Sequence, residues 1–325
     1  MEILFNAIAP IFLLVVAGWG LGRAKLVPTS VAGSLMQYVF YGAAPAVVFY
    51  AVVSNPLSKL LYWQFWVAYP LSLLIVLIIT ALFFKLFLRR GLFVSIILGF
   101  AAVVSNTVII GYPVLSGFVG HFAAIPMAIT VVVFALIFIP ALIFIYEMHV
   151  QAEKNESPNL MHTIKSAVIG TIKNPLVIGV LLGVVFSVGH IPVPKFFNTF
   201  VMYLAESIVP CALFAVGLDM VEFSFKSNKL FDVILVSFIN LIITPVITIF
   251  IAKALDLSPL FAFSLVVFST VPTAKTLYII AGKYQIFNKE MAAIISMTTI
   301  GSVVTIPLFI YIAKLIWPTA IPGLM

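Results

Sequence analysis

Ten continuous apolar runs, at about 3–22, 31–53, 61–88, 92–120, 121–147, 167–189, 198–221, 229–255, 259–284 and 289–316, leave this chain few folds to choose from. Each has the length an α-helix needs to cross a hydrocarbon layer about 30 Å thick. Inside lipid every backbone polar group must find a partner within the structure, so only helices and closed barrels span. Barrel strands alternate apolar and polar residues over roughly 10 positions, whereas these runs are unbroken for about twice that length. Charged residues make up 8% of the chain and hydrophobic ones 64%, against roughly 25% charged in a soluble domain. The expected fold is an all-α polytopic membrane protein with ten transmembrane helices.

Several function classes fall away. The run Ile3–Gly22 has no basic residue before it and leads into Arg23 and Lys25, so it reads as a span and not as a cleavable signal. The single cysteine, Cys211, follows Pro210 in an apolar run, which leaves nothing for disulfide or redox chemistry. There is no His-Glu-x-x-His and the four histidines fall near segment ends, so no metal, cofactor or catalytic centre is expected. The net charge of +7 reflects basic loops and not nucleic-acid binding. Twelve lysines and arginines, among them Arg23, Lys85, Arg90, Lys165, Lys226 and Lys283, fall on one side of the spans. Only Lys59, Lys195, Lys253 and Lys314 fall on the other. The rule that basic loops stay inside places the first set in the cytoplasm and both termini outside. The loop at 148–166 divides the chain; its Asn155-Glu156-Ser157 resembles a glycosylation acceptor by chance, since it lies on the cytoplasmic side.

The prolines repeat. Pro10 and Pro175 are 165 apart, Pro28 and Pro194 are 166, Pro45 and Pro210 are 165, and Pro140 and Pro307 are 167. A repeat of five spans must be inverted, because an odd number of crossings starts the second half on the opposite side. The expected organisation is a five-helix repeat at 1–147, a cytoplasmic linker at 148–166 and a second five-helix repeat at 167–325. The polar centre of the fourth span, Ser105-Asn106-Thr107 followed by Gly111-Tyr112-Pro113, maps onto Ser269-Thr270 and Pro272-Thr273 in the ninth. Each half therefore carries one broken helix, and two such helices crossing near the midplane bring their half-helix ends toward a common site.

Within the ninth span, Val271-Pro272-Thr273-Ala274-Lys275-Thr276 sets a lysine near the membrane centre. That position costs at least ~2.5–3.5 kcal/mol, so the residue is expected to face a cavity. Three roles are open to it: binding an anionic substrate, holding a fixed positive charge beside the unwound backbone, or snorkelling to the cytoplasmic interface. Glu206, four residues before Pro210, is the other clear intramembrane charge. It is either a partner of Lys275 or a proton site, or else a protonated structural glutamate. Asp219, nearer the cytoplasmic end of the same span, reads as an interface or loop charge. Asn106 reads as a site residue, and Asn240 as an interhelical hydrogen bond. The pairs Gly18/Gly22 and Gly179/Gly183 have the spacing that lets helices approach closely, within the molecule or at a dimer contact.

Asn106-Thr107-x-x-x-Gly111-x-Pro113, and Pro272-Thr273-Ala274 followed by Tyr278, Ala281 and Tyr284, resemble the paired signatures of the auxin efflux carrier family. Ala44-Pro45-Ala46, Asn174-Pro175 and Val216-Gly217-Leu218 fit as well, so the resemblance covers essentially the whole chain. It implies a scaffold of spans 1, 2, 6 and 7, a transport domain that holds the crossed helices, elevator-like alternating access and a homodimer through scaffold helices. It also implies a small organic anion as substrate, bound among Asn106, Thr107, Gly111, Pro113, Pro272, Thr273 and Thr276. Tyr112, between Gly111 and Pro113, is read from its position as a further lining residue. Lys275 departs from the family pattern and is argued from its physics. The function read from the chain is a secondary transporter of malate- or malonate-like carboxylates in a bacterial cytoplasmic membrane, with Lys275 and Glu206 as coupling candidates. The choice between protons and sodium is open, the absence of a carboxylate cluster favouring protons. The alternative is a sensor of the same fold that binds such an anion without moving it.

Overall fold

The computed structural model describes residues 2–154, 168–223, 225, 227 and 229–320, and among these it is helical throughout, with no strand. The helices are α1 (Glu2–Arg23), α2 (Val31–Tyr38), α3 (Ala44–Val53), α4 (Leu57–Leu60), α5 (Trp63–Leu86), α6 (Leu92–Val103), α7 (Tyr112–Val119), α8 (Ala124–Val133) and α9 (Ile139–Lys154). They continue with α10 (Pro175–Val188), α11 (Lys195–Met220), α12 (Leu230–Phe238), α13 (Thr244–Ala254), α14 (Pro259–Thr270), α15 (Thr276–Tyr284) and α16 (Asn288–Ile316). Six continuous helical stretches are long and apolar enough to cross a membrane, and four shorter apolar helices, such as Leu92–Val103 and Pro259–Thr270, accompany them. α9 runs on to Lys154, so the polar stretch expected from 148 begins as helix. The rest of that linker, with Asn155-Glu156-Ser157 and Lys165, lies outside the described residues, as does Lys226.

Four helices widen into a π-turn, at Val39–Ala43, Thr107–Gly111, Phe134–Phe138 and Ile239–Ile243. The cause is written in the sequence. Each turn is centred four residues before a proline, namely Pro45, Pro113, Pro140 and Pro245. A proline has no N–H for the carbonyl four residues back, and its ring clashes with that carbonyl. Widening the turn by one residue relieves the clash without ending the helix.

Two close helix pairs rest on glycine. α1 lies against α11 where Gly18 faces the Phe214 carbonyl and Gly217 faces the Val15 carbonyl, each too near for a Cβ. α10 lies against α3 in the same way, a Cβ on Gly179 falling 2.7 Å from the Pro45 carbonyl oxygen and one on Gly183 falling 2.7 Å from Val52 Cβ. Both glycine pairs thus pack helices inside one chain. Around the interior, α5 packs on α6, α13 on α14, and α16 on both α12 and α14. Large apolar side chains such as Leu13, Ile79, Leu182, Val185 and Phe200 point outward. A protein in water rarely exposes so much contiguous apolar surface, and lipid is its natural solvent. One ion pair is sunk in the packing: Asp232, fully buried in the first turn of α12, accepts from Arg90 Nη2 at 2.9 Å, which ties α12 to the end of the α5–α6 loop.

Candidate functional site

The helix begun by α6 stops at Val103, where Val104 turns extended, and the helix begun by α14 stops at Thr270, where Val271 does the same. The two interruptions lie side by side. Ser105 and Thr273 pair antiparallel; Asn106 N–H donates to the Pro272 carbonyl at 2.8 Å, and Ala274 N–H donates to the Val104 carbonyl at 2.8 Å. Each break supplies the main-chain partners that the other has lost, which is what backbone at membrane depth requires.

The last carbonyls of α6 need donors too, since the helix no longer provides the N–H groups four residues on. Thr273 Oγ1 donates to the Ala101 carbonyl at 2.9 Å, and Asn240 Nδ2 donates to the Ala102 carbonyl at 2.9 Å. Thr298 Oγ1 accepts from Thr273 N–H at 3.2 Å. All of these groups are buried. Asn240 is thus the interhelical hydrogen bond expected of it. Asn240→Leu removes the nearer of two donors to the Ala102 carbonyl and leaves it only the longer bond from Thr244 Oγ1 at 3.4 Å, a loss of about 1 kcal/mol that thermal melts of the detergent-solubilised protein will register.

Beside the crossing lies a cavity of about 360 Å³. Ser105, Asn106, Thr107 and Thr276 face it from the crossing, Thr171 and Asn174 from the start of the second half, and Phe40, Val131, Phe134 and Ile139 wall it with apolar surface. Among the described residues no charged one lines it. Its electrostatics come instead from the backbone, because three helical segments begin at its edge. The first starts at Thr107 and is capped by Asn106, whose side chain accepts from Ile109 N–H at 3.3 Å. α10 is capped by Asn174, which accepts from Leu176 N–H at 3.0 Å. α15 starts at Thr276 after Lys275 and has no side-chain cap. A helix start carries about half a positive charge and unpaired N–H groups, and three of them around one cavity make it electropositive without a cation.

The residues expected to form the site divide by position. Asn106, Thr107 and Thr276 line the cavity. Pro272 and Thr273 are buried behind it and engaged in the crossing. Gly111, Tyr112 and Pro113 are buried in the turn that follows, where a Cβ on Gly111 would meet the Phe268 ring at 2.8 Å. Lys275 faces away. Its Nζ donates to Asp219 Oδ2 at 2.7 Å in a second cavity of about 230 Å³, lined also by Glu222, Tyr278 and Ser296. The carboxylate beside Lys275 is therefore Asp219 and not Glu206, which sits on the exposed face of α11. Reading Asp219 as an interface or loop charge does not anticipate this pairing, because the two residues are 56 apart and belong to different helices. Thr171 and Asn174 were not singled out as cavity residues, although Asn before Pro is a recognisable helix start.

The family model described as "Membrane transport protein" matches residues 3–310. The chain belongs to this family, that of the auxin efflux carriers. The relatives found within it are distant. A protein of Rhizobium meliloti (strain 1021) named "Putative malonate transporter" is 25% identical over 313 residues, covering 94% of this chain and 95% of its own. A protein of Escherichia coli (strain K12) named "Uncharacterized transporter YfdV" is 24% identical over 190 residues, 58% of each chain. Family membership together with the apolar helices makes the protein a multi-pass membrane transporter, with a small-molecule substrate and a role in movement across the bilayer rather than in catalysis.

Proposed function

We propose that the protein is a secondary transporter of small organic carboxylates in a bacterial cytoplasmic membrane, built from ten transmembrane helices as two inverted five-helix repeats. The observation that carries this reading is the convergence of three helix starts, at Thr107, Pro175 and Thr276, on the cavity beside the crossing. An anionic carboxylate is the ligand such a site favours, and the apolar walls suit its carbon skeleton. The relative named for malonate points to the same class.

In this reading α1, α2, α3, α10 and α11 form the scaffold, a grouping supported by the glycine contacts that lock α1 to α11 and α3 to α10. The crossing moves with the remaining helices and carries the anion past the scaffold. Both termini lie outside, and two copies meet through scaffold helices. Exposed Phe200, Tyr203 and Glu206 on α11 suit that contact, since a carboxylate within a span is costly against lipid. Lys275 holds a fixed charge behind the break, consistent with its pairing to Asp219 and its position off the anion cavity. A proton is the coupling ion in this scheme.

Uptake of labelled malonate into proteoliposomes tests the reading, with proton and sodium gradients imposed in turn. Wild type is expected to accumulate label, and Asn106→Ala and Thr107→Val to lose about tenfold or more in flux. Acceleration by a proton gradient identifies the coupling. Binding without flux in wild type sinks the transporter reading in favour of a sensor.

A further inference from the structure

The contact between the two groups of helices is nearly featureless where α1 and α11 meet α7, α16 and the turn before α7. A narrow void of about 30 Å³ there is lined mostly by aliphatic side chains, among them Val15, Ile110, Val114, Leu213, Val216 and Ile306. Aliphatic surfaces of this kind attract through dispersion, without strong direction, so they hold two bodies together and leave their relative register weakly set. At one end of this contact the situation changes. Asp219, in the last turn of α11, accepts from Lys275 Nζ at 2.7 Å, and Lys275 is the residue on which α15 starts. Lys275 is 46% and Asp219 17% exposed, so the pair closes the rim of this contact. A polar contact of defined geometry at the edge of an apolar interface specifies register where the aliphatic surface does not.

The position of Lys275 makes the contact more than a surface pair. Ala274 and Thr276 line the anion cavity while Lys275 between them points into the cavity on the opposite side. Pulling on Lys275 therefore pulls on the three-residue wall of the site. Asp219 itself touches no part of the anion cavity. We infer that Asp219 is a positioning residue that, through Lys275, pins the register of the crossing against α11 in the state seen here. The inference rests on the sliding-domain reading above, because only a moving crossing needs a releasable pin. The pair must open when the crossing moves, and Glu222, the other carboxylate lining that cavity, is the alternative partner for the freed ammonium.

The test reads register without any substrate. Ser302 lines the apolar void and is 4% exposed, and its replacement by cysteine in a Cys211→Ala background places a thiol in the contact. Alkylation by a water-soluble maleimide then reports how often the contact slips open in full-length protein in liposomes. Asp219→Asn and Lys275→Met are each expected to label about fivefold faster, and the exchanged pair Asp219→Lys with Lys275→Asp to return within about twofold of the parent. Equal rates in all of these variants overturn the inference. So does faster labelling that the exchanged pair fails to restore, since that reports general loosening and not a lost pin. Malonate flux measured alongside is expected to change in kcat for Asp219→Asn while KM stays within about twofold. Absence of malonate flux in every protein, with the labelling pattern intact, rejects the carboxylate reading and leaves the pin standing.

Discussion

Arg90→Met should lower folding stability by about 3–5 kcal/mol, read as an earlier melt of the solubilised protein. The asymmetry of the pair is the reason. Asp232 is fully buried and its Oδ2 has no partner among the described residues, so the Arg90 contact at 2.9 Å through Oδ1 is what neutralises it. Removing the arginine leaves a carboxylate with neither water nor countercharge. Arg90 is 38% exposed and can reach solvent by itself, so Asp232→Leu is expected to cost clearly less. The double replacement Arg90→Met with Asp232→Leu should recover most of the single loss, since apolar pairs of similar volume substitute well for buried ion pairs. A double variant as unstable as Arg90→Met alone would show that the arginine stem, and not its charge, holds the loop.

Gly217→Ala is expected to approach the same size from a different cause. Overpacking costs about 1–3 kcal/mol where side chains can move aside. Here the added Cβ meets the Val15 carbonyl oxygen and falls 2.7 Å from Trp19 N, so two backbones would have to part. The loss therefore belongs at or above the top of that range, with aggregated material increasing on size-exclusion chromatography. Gly20→Ala serves as the control, because a Cβ there finds nothing within 4 Å and exchanges a flexible residue for a better helix former. Equal melting of the two variants would mean that α1 and α11 are not in close contact in solution.

Much of the helical frame was legible because apolar run length answers directly to membrane thickness. The runs at 31–53 and 229–255 meet the apolar helices Val31–Val53 and Leu230–Ala254 almost residue for residue. The interruptions at Ser105–Asn106 and Pro272 could also be read, since polar residues and proline inside an apolar run have few other uses. What stayed hidden was direction. Lys275 falls in the interruption of the ninth span but faces the second cavity, because sequence position does not say which side of an unwound segment a side chain takes. Asp219 is found only by knowing that α11 ends beside α15. The π-turns went unread despite a sufficient signal, a proline four residues on. Asn174 is not legible as a cavity residue because its place depends on how α10 docks against α3 and α8.

The joint between the broken helices is fastened largely by main chain. The bonds from Asn106 N–H to the Pro272 carbonyl and from Ala274 N–H to the Val104 carbonyl are indifferent to the side chains at Asn106, Ala274 and Val104. A descendant chain can therefore trade the groups that touch cargo while the hinge-pin of the architecture persists. Ligand preference and mechanical integrity are inherited separately, and a carrier of this design can acquire new cargo by a few exchanges at the rim without first relearning how to fold.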